Sequence, residues 1–121
     1  MVLGLALLWV GAVLFVNGIW LLGGVDDREV VVINVFSGVV ALAVALHGAF
    51  APGATPLTIR EGALTLLFSA TYLWVAHNRL AAVDGRGLGW FSLFVAVTAV
   101  PVALGGFAAA QSVRDAWVAT A

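Results

Sequence analysis

Few side chains in this sequence could carry out acid–base, nucleophilic or metal chemistry, and those few are scattered. The 121 residues include no Cys and only two His, His47 and His77. Structural zinc takes four protein ligands and catalytic zinc three, so two separated His predict no metal site. No Asp, Glu or Arg lies in the middle of an apolar segment, and no Ser-His-Asp spacing or phosphate-binding loop stands out. The sequence therefore predicts that the chain is not an enzyme and needs no cofactor.

The remaining polar side chains in the apolar segments are neutral hydrogen-bonding groups. Proton-coupled exchangers need an acid that gains and loses protons inside the membrane. Here the first apolar segment offers only Asn17 as a strongly polar residue. This composition disfavours a cation exchanger and favours a neutral solute that moves down its gradient. The neutral groups are Asn17, Asn34, Ser37, Ser69, Thr71, Tyr72 and Thr98.

Two stripes of side chains recur at helical spacing and could line a passage. On the first predicted helix the stripe comprises Leu7, Val10, Leu14 and Asn17. On the third helix Phe68 and Tyr72 stand four residues apart, so they share a face. Such stripes are more often helix packing than a pore. Spacing alone leaves both interpretations open, although pore selectivity does depend on diameter and on exposed hydrogen-bonding groups of this kind.

The elements that must position these residues are four long apolar blocks. The chain is 64% hydrophobic and 9% charged, and nearly all its charges lie between the blocks. A helix needs about 20 apolar residues to cross a bilayer, and only helices and closed barrels satisfy their backbone groups there. The sequence therefore predicts an all-α integral membrane protein whose residues 1–121 form a single membrane domain. The expected transmembrane helices cover about 2–23, 29–50, 59–78 and 88–109, with the possible start of a fifth helix at 115–121.

Local signals refine this prediction at two places. Thr58 with Glu61 three residues later has the spacing of a capping box, which predicts the start of the third helix. Gly4, Gly11 and Gly18 recur every seven residues, so they share one face of the first helix. Small residues let membrane helices approach closely, and this face is expected to pack against a neighbour.

Charge bears on partners and orientation. The formal net charge is -1, which gives no reason to expect a nucleic-acid partner; membrane lipid is the expected surrounding. No basic residue precedes Arg28, so the first apolar block lacks the basic start of a cleaved signal peptide. Arg residues favour the cytoplasmic side, and their placement gives a small majority to the first and third loops. Both chain termini, including the N-terminus, are then expected outside.

Four stretches that occur in order carry a family resemblance. They run from Leu3-Gly4-Leu5 to Asn17-Gly18, from Val25-Asp26 to Asn34-Val35-Phe36, from Leu66-Leu67-Phe68 to Thr71-Tyr72-Leu73, and over Trp90-Phe91-Ser92-Leu93-Phe94-Val95-Ala96. Together they resemble the AmiS/UreI family of bacterial channels for urea and short-chain amides. The similarity extends from the first helix to Trp117.

The resemblance implies a fold, a function and a set of site residues. The protomer would have six helices and would form a homohexameric ring with one pore per protomer in a bacterial inner membrane. Its function would be passive passage of urea or short-chain aliphatic amides, as a supply for a cytoplasmic amidase or urease. By the resemblance, Leu7, Val10, Leu14 and Asn17 match pore-lining positions of the first helix. Phe68 and Tyr72 match an aromatic pair of the third.

Two departures from the family pattern lead to further expectations. The family continues with two more helices after residue 121, so the chain is a fragment, a truncated gene or part of an unusual assembly. The alternative function is accordingly a truncated or non-transporting membrane protein that packs as a helical partner in another complex. The second departure is the segment 51–60, which is short and lacks His. Because His is the side chain that titrates between about pH 5 and 8, we expect no activation by acid.

Overall fold

The computed structural model describes residues 2–120, except for the side chains of Val2 and Thr120, and these residues form four helices. The predicted all-α architecture is confirmed, and the chain divides into two compact units, the first ending at Gly89 and the second beginning at Trp90. Helices α1, α2 and α4 are long and apolar enough to cross a membrane. The helices are α1 Val2–Leu21, α2 Val30–Phe50, α3 Pro56–Ala81 and α4 Arg86–Thr120.

Helix α3 is the most polar of the three helices in the first unit. It has 26 residues, enough to span a bilayer, but carries Arg60, Glu61 and Arg79 and is not among the candidate spans. Its crossing of the membrane therefore stays a prediction. Close contacts with α2 near the start of α3, at Thr58 and Gly62, and in its middle, at Ser69 and Leu73, favour that prediction, since two helices packed side by side share the same depth.

The start of α3 differs from the sequence prediction. Thr55, rather than Thr58, is the N-cap, and the two residues form the capping box together. The Thr58 backbone N–H donates to Thr55 Oγ1 over 3.2 Å, and the Thr55 N–H donates to Thr58 Oγ1 over 2.8 Å. Pro56 is favoured in the first helical turn, where its missing N–H leaves no bond unmade. The prediction of a Thr58–Glu61 cap is thus wrong, and the Glu61 carboxylate takes no part in capping.

Helices α2 and α3 pack against each other through glycines. A Cβ added at Gly62 would lie 2.7 Å from the Ala45 carbonyl oxygen, and one added at Gly48 would lie 3.1 Å from the Thr58 carbonyl oxygen. Only glycine permits so close an approach of two backbones. By contrast, a Cβ added at any of the three glycines expected to form a packing face on α1 would meet no atom of another described helix within 4 Å. Within the first unit, close backbone packing occurs between α2 and α3, and packing of the α1 glycine face against a neighbour stays a prediction.

Helix α4 is longer than predicted. It continues without interruption from Arg86 to Thr120, so no separate fifth helix begins at 115 within the described residues. The polar residues 111–115 are compatible with a helix, and no Gly or Pro follows Gly106 to break it. Pro101 lies inside the helix. The predicted end at 109 is therefore wrong, because polarity alone does not end a helix.

Candidate functional site between α1, α2 and α3

Three of the six predicted pore-lining residues meet around one cavity. Leu7 and Val10 of α1 and Phe68 of α3 border a space of about 190 Å³. Leu7 and Val10 are three residues apart and therefore lie on one face of α1. The cavity wall is largely apolar, and Glu61 and Thr65 provide its polar groups.

The other three predicted residues lie in different surroundings. Leu14 is exposed, while Tyr72 is buried within the first unit, with 5% of its surface accessible. Phe68, one helical turn before Tyr72, is 40% exposed. The two aromatic residues share a face of α3 by spacing, but the rest of the first unit covers Tyr72 and leaves Phe68 partly exposed.

Asn17 forms a reciprocal amide pair with Asn34 that joins α1 to α2. Asn17 Nδ2 donates to Asn34 Oδ1 over 3.1 Å, and Asn34 Nδ2 donates to Asn17 Oδ1 over 2.7 Å. Asn34 Nδ2 also donates to the Val30 carbonyl oxygen over 2.8 Å, and the whole residue is buried. Much of the hydrogen-bonding capacity of Asn17 is therefore used between helices.

Hydroxyl groups also donate within the first unit. Ser69 Oγ donates to the Gly38 carbonyl oxygen over 2.8 Å and joins α3 to α2, and Ser37 Oγ donates to the Trp9 carbonyl oxygen over 3.3 Å and joins α2 to α1. Thr65 Oγ1 donates to the Glu61 carbonyl oxygen over 2.8 Å. Each hydroxyl has one hydrogen but two lone pairs, so these groups can still accept a hydrogen bond.

A second, more polar cavity lies at the end of the unit where α2 leads into α3. It has a volume of about 260 Å³ and is bordered by His47, Thr58 and Glu61. The two cavities have Leu3, Glu61 and Thr65 in common. The carboxylate of Glu61 forms no hydrogen bond or ion pair with another described residue.

Sequence reasoning missed His47 and Glu61 as site residues, although a signal for them was present. Both lie seven residues from Ala54, the middle of the short turn between α2 and α3. In a helical hairpin with so short a connection, residues equally distant from the turn lie side by side. The prediction of Glu61 as a capping residue obscured this relation.

The opposite end of the same three helices is held by interactions among its own charged and aromatic groups. Trp20 Nε1 donates to Asp27 Oδ1 over 2.7 Å, and an Asp27 oxygen lies 3.9 Å from an Arg79 nitrogen. The Arg79 guanidinium carbon also lies 5.5 Å from the centroid of the Trp20 ring. These contacts join the end of α1, the turn before α2 and the end of α3.

The described residues contain no cluster of three or more His, Cys, Asp or Glu that could hold a metal ion. The groups that border the two cavities are one carboxylate, one imidazole, two hydroxyls and several apolar side chains. Such a set can bind a small uncharged solute through hydrogen bonds and apolar contact.

Comparison with known proteins agrees with a membrane protein of this type. The family model for the AmiS/UreI family transporter matches residues 2–121. A protein of Mycolicibacterium smegmatis, named as an amidate substrates transporter, is 40% identical over 97 residues, which are 80% of this chain and 46% of that protein. Transporter protein AmiS2 of Rhodococcus erythropolis is 42% identical over 94 residues, 78% of this chain and 46% of its own length.

An acid-activated urea channel of Helicobacter pylori strain J99 is 40% identical over 119 residues, which cover 84% of this chain and 61% of the channel. No solved structure matches the chain significantly. The chain spans about half to three fifths of the length of these relatives.

These matches define the class of protein, a multi-pass membrane protein built of helices. The chain belongs to the AmiS/UreI family. The predicted family membership is thereby confirmed. The family consists of transporters and channels rather than enzymes, as the sequence predicted.

Proposed function

We propose that this chain is part of a passive channel for urea or short-chain aliphatic amides. The cavity bordered by Leu7, Val10 and Phe68 is the observation that carries the proposal, since it joins predicted pore residues of two helices. Its apolar wall would exclude hydrated ions, because an ion that leaves water without compensating partners loses a large solvation energy. A planar uncharged amide loses far less and can exchange hydrogen bonds with the few polar groups.

Two relatives support this substrate class through their names, one for amidate substrates and one for urea. The described parts of α1 and α2 also contain no Asp, Glu, Lys or Arg, and an ion-coupled mechanism would need such a group in the membrane. The one carboxylate that borders the cavity, Glu61, lies near the start of α3 rather than in the middle of the helix. The six lining residues that we propose are the predicted ones, Leu7, Val10, Leu14, Asn17, Phe68 and Tyr72.

For the complete protein, we propose a homohexamer in a bacterial inner membrane, with the N-terminus outside and lipid around the helices. The orientation follows from the Arg residues of the first and third loops. The proposal accounts for the many apolar side chains of α1 that remain exposed in the first unit, such as Leu8 and Phe15, since lipid or a neighbouring protomer would cover them.

The test is stopped-flow swelling of proteoliposomes that contain the complete gene product. Urea and acetamide should enter faster than into protein-free liposomes, at rates that do not depend on a proton or sodium gradient. Strict dependence on an ion gradient, or entry no faster than through lipid alone, would overturn the proposed function.

Two substitutions test the proposed lining. Phe68→Ala and Tyr72→Ala should each change the ratio of urea to acetamide flux, because each removes an aromatic surface that a planar amide would contact. Phe15→Ala is the matched control, since Phe15 is 70% exposed on α1 and borders neither cavity. An unchanged ratio in both test variants would remove these two residues from the site.

A further inference from the structure

The two cavities of the first unit are adjacent, because three residues border both of them. Leu3, Glu61 and Thr65 border both spaces. On one side the wall is apolar and includes Leu7 and Phe68; on the other side it includes His47 and Thr58. A solute that enters from the turn between α2 and α3 would therefore meet polar groups first and the apolar passage second.

The hydrogen-bonding groups that the two cavities share are acceptors. The single hydroxyl hydrogen of Thr65 is used by the Glu61 carbonyl oxygen. In the second cavity, the Thr58 hydroxyl donates to the Thr55 carbonyl oxygen at 3.0 Å and accepts from the Thr55 N–H, so it offers a solute little. The carboxylate of Glu61 can only accept, and it has no partner among the described residues. The exposed His47, which borders the second cavity alone, can donate, since one imidazole nitrogen always carries a hydrogen.

An acceptor-rich boundary suits a ligand rich in N–H donors. Urea has two NH₂ groups and acetamide has one, and each NH₂ group has two hydrogens to donate. A carboxylic acid anion of similar size has none and would be repelled by the Glu61 carboxylate. The boundary can therefore distinguish an amide from the acid formed by its hydrolysis.

We propose that Glu61, together with the Thr65 hydroxyl oxygen, forms an entry subsite that binds the NH₂ groups of the amide before it reaches the apolar passage. The subsite rests on the proposed function, and it makes Glu61 a residue that determines specificity. A hydrogen bond from a neutral donor to a charged acceptor is stronger than one between neutral groups. Urea, which has a second NH₂ group, gains more from this subsite than acetamide does.

The experiment compares Glu61→Gln and Glu61→Leu with the unmodified complete protein in proteoliposomes, at solute concentrations well below saturation. Loss of the acceptor in Glu61→Leu should lower urea flux by about tenfold, as expected for one hydrogen bond to a charged group. Glu61→Gln keeps one acceptor oxygen at nearly the same volume, so its urea flux should fall less. The urea-to-acetamide ratio should fall in the same order.

The matched control is the same pair of changes at Glu29. Glu29 is exposed at the opposite end of α2, where its side chain makes no capping hydrogen bond. Glu29→Gln and Glu29→Leu should leave both fluxes and their ratio unchanged. Size-exclusion chromatography in detergent shows whether each variant is folded and assembled like the unmodified protein.

Three outcomes overturn the inference. Unchanged urea flux in Glu61→Leu would exclude a binding role for the carboxylate, and the proposed channel function would stand. An equal fall of urea and acetamide flux in both Glu61 variants would assign Glu61 a structural role only. If the unmodified protein passes neither solute, the proposed function fails, and the entry subsite fails with it.

Discussion

The two ends of the three-helix unit use charged side chains in different ways. At the Arg79 end, formed by Trp20, Asp27 and Arg79, each polar group contacts another across the helices. At the Glu61 end, formed by His47, Thr58, Glu61 and Thr65, the side chains surround a cavity, and the carboxylate has no partner among the described residues.

At the Arg79 end the charged groups stabilise the structure, whereas at the Glu61 end the carboxylate is available to bind a ligand. Interactions among three side chains from three segments restrain the positions of those segments, and they leave little capacity for a solute. A carboxylate beside a cavity keeps its acceptor capacity, which a ligand can use. Changes at the Arg79 end should therefore affect stability alone, whereas changes at the Glu61 end should affect flux and its selectivity.

The largest effect is expected where the backbones that shape the Glu61 end approach most closely. Gly62→Val would place a Cβ 2.7 Å from the Ala45 carbonyl oxygen, and backbone atoms cannot move away cheaply. Overpacking of this kind costs about 1–3 kcal/mol or more. We expect a clear loss of properly folded protein, measured as the monodisperse fraction in detergent and the midpoint of thermal unfolding.

Gly4→Val is the control for that prediction, since a Cβ added at Gly4 would meet no atom of another described helix within 4 Å. Gly4 is a helical residue that faces open space in the described unit, so the valine should be tolerated. Equal stability of Gly62→Val and the unmodified protein would show that α2 and α3 do not approach as closely in the membrane.

A smaller loss of stability is expected from Asn34→Leu. This change leaves the half-buried Asn17 amide without its partner, and an unsatisfied polar group costs about 1 kcal/mol when it is only partly buried. The double variant Asn17→Leu with Asn34→Leu should regain part of that loss, because both polar partners are then absent. A double-mutant cycle on the thermal midpoint measures this coupling; additive effects would mean that the pair does not contribute as a unit.

Substitutions at the Arg79 end test the comparison directly. Asp27→Asn weakens an exposed ion pair that is 3.9 Å long, and such pairs contribute about 1 kcal/mol or less. The expected result is a small decrease in thermal midpoint with unchanged urea flux, the reverse of the pattern expected for Glu61→Gln. A fall in urea flux without loss of stability in Asp27→Asn would remove the distinction between the two ends.

The smallest expected effect concerns pH. The segment 51–60 contains no His, so we predict that urea uptake by the complete protein does not rise several-fold between pH 7 and pH 5. Uptake into cells or liposomes at the two pH values measures this. A several-fold rise would contradict the prediction, and repeating the assay with His47→Gln would then show whether the imidazole at the Glu61 end is responsible.

Helix identity and approximate limits could be predicted because they depend on local composition. The apolar blocks predicted the start of α2 to within one residue. The three predicted connections between the four helices all overlap the connections in the structure. The predicted helix limits were wrong where the local sequence was compatible with two different limits. Thr55 and Thr58 both suit an N-cap, and Pro56 decided for the earlier one, while the polar residues 111–115 continue α4 instead of ending it.

The candidate site could be predicted only in part. Leu7, Val10 and Phe68 border one cavity, and their role as pore lining stays a prediction. Asn17 was predicted from its place in the stripe on α1 and from the family resemblance, and neither could indicate that Asn34 would use much of its hydrogen-bonding capacity. Glu61 was missed because its neighbours in space come from α1 and α2.

By itself, the sequence determined that this is an all-helical membrane protein of one family, since the length and apolarity of a segment decide whether lipid can surround it. The tertiary structure alone decided which polar groups are used between helices and which remain available beside a cavity. Such contacts join residues far apart in the chain, and their geometry depends on how closely α2 and α3 approach at Gly48 and Gly62.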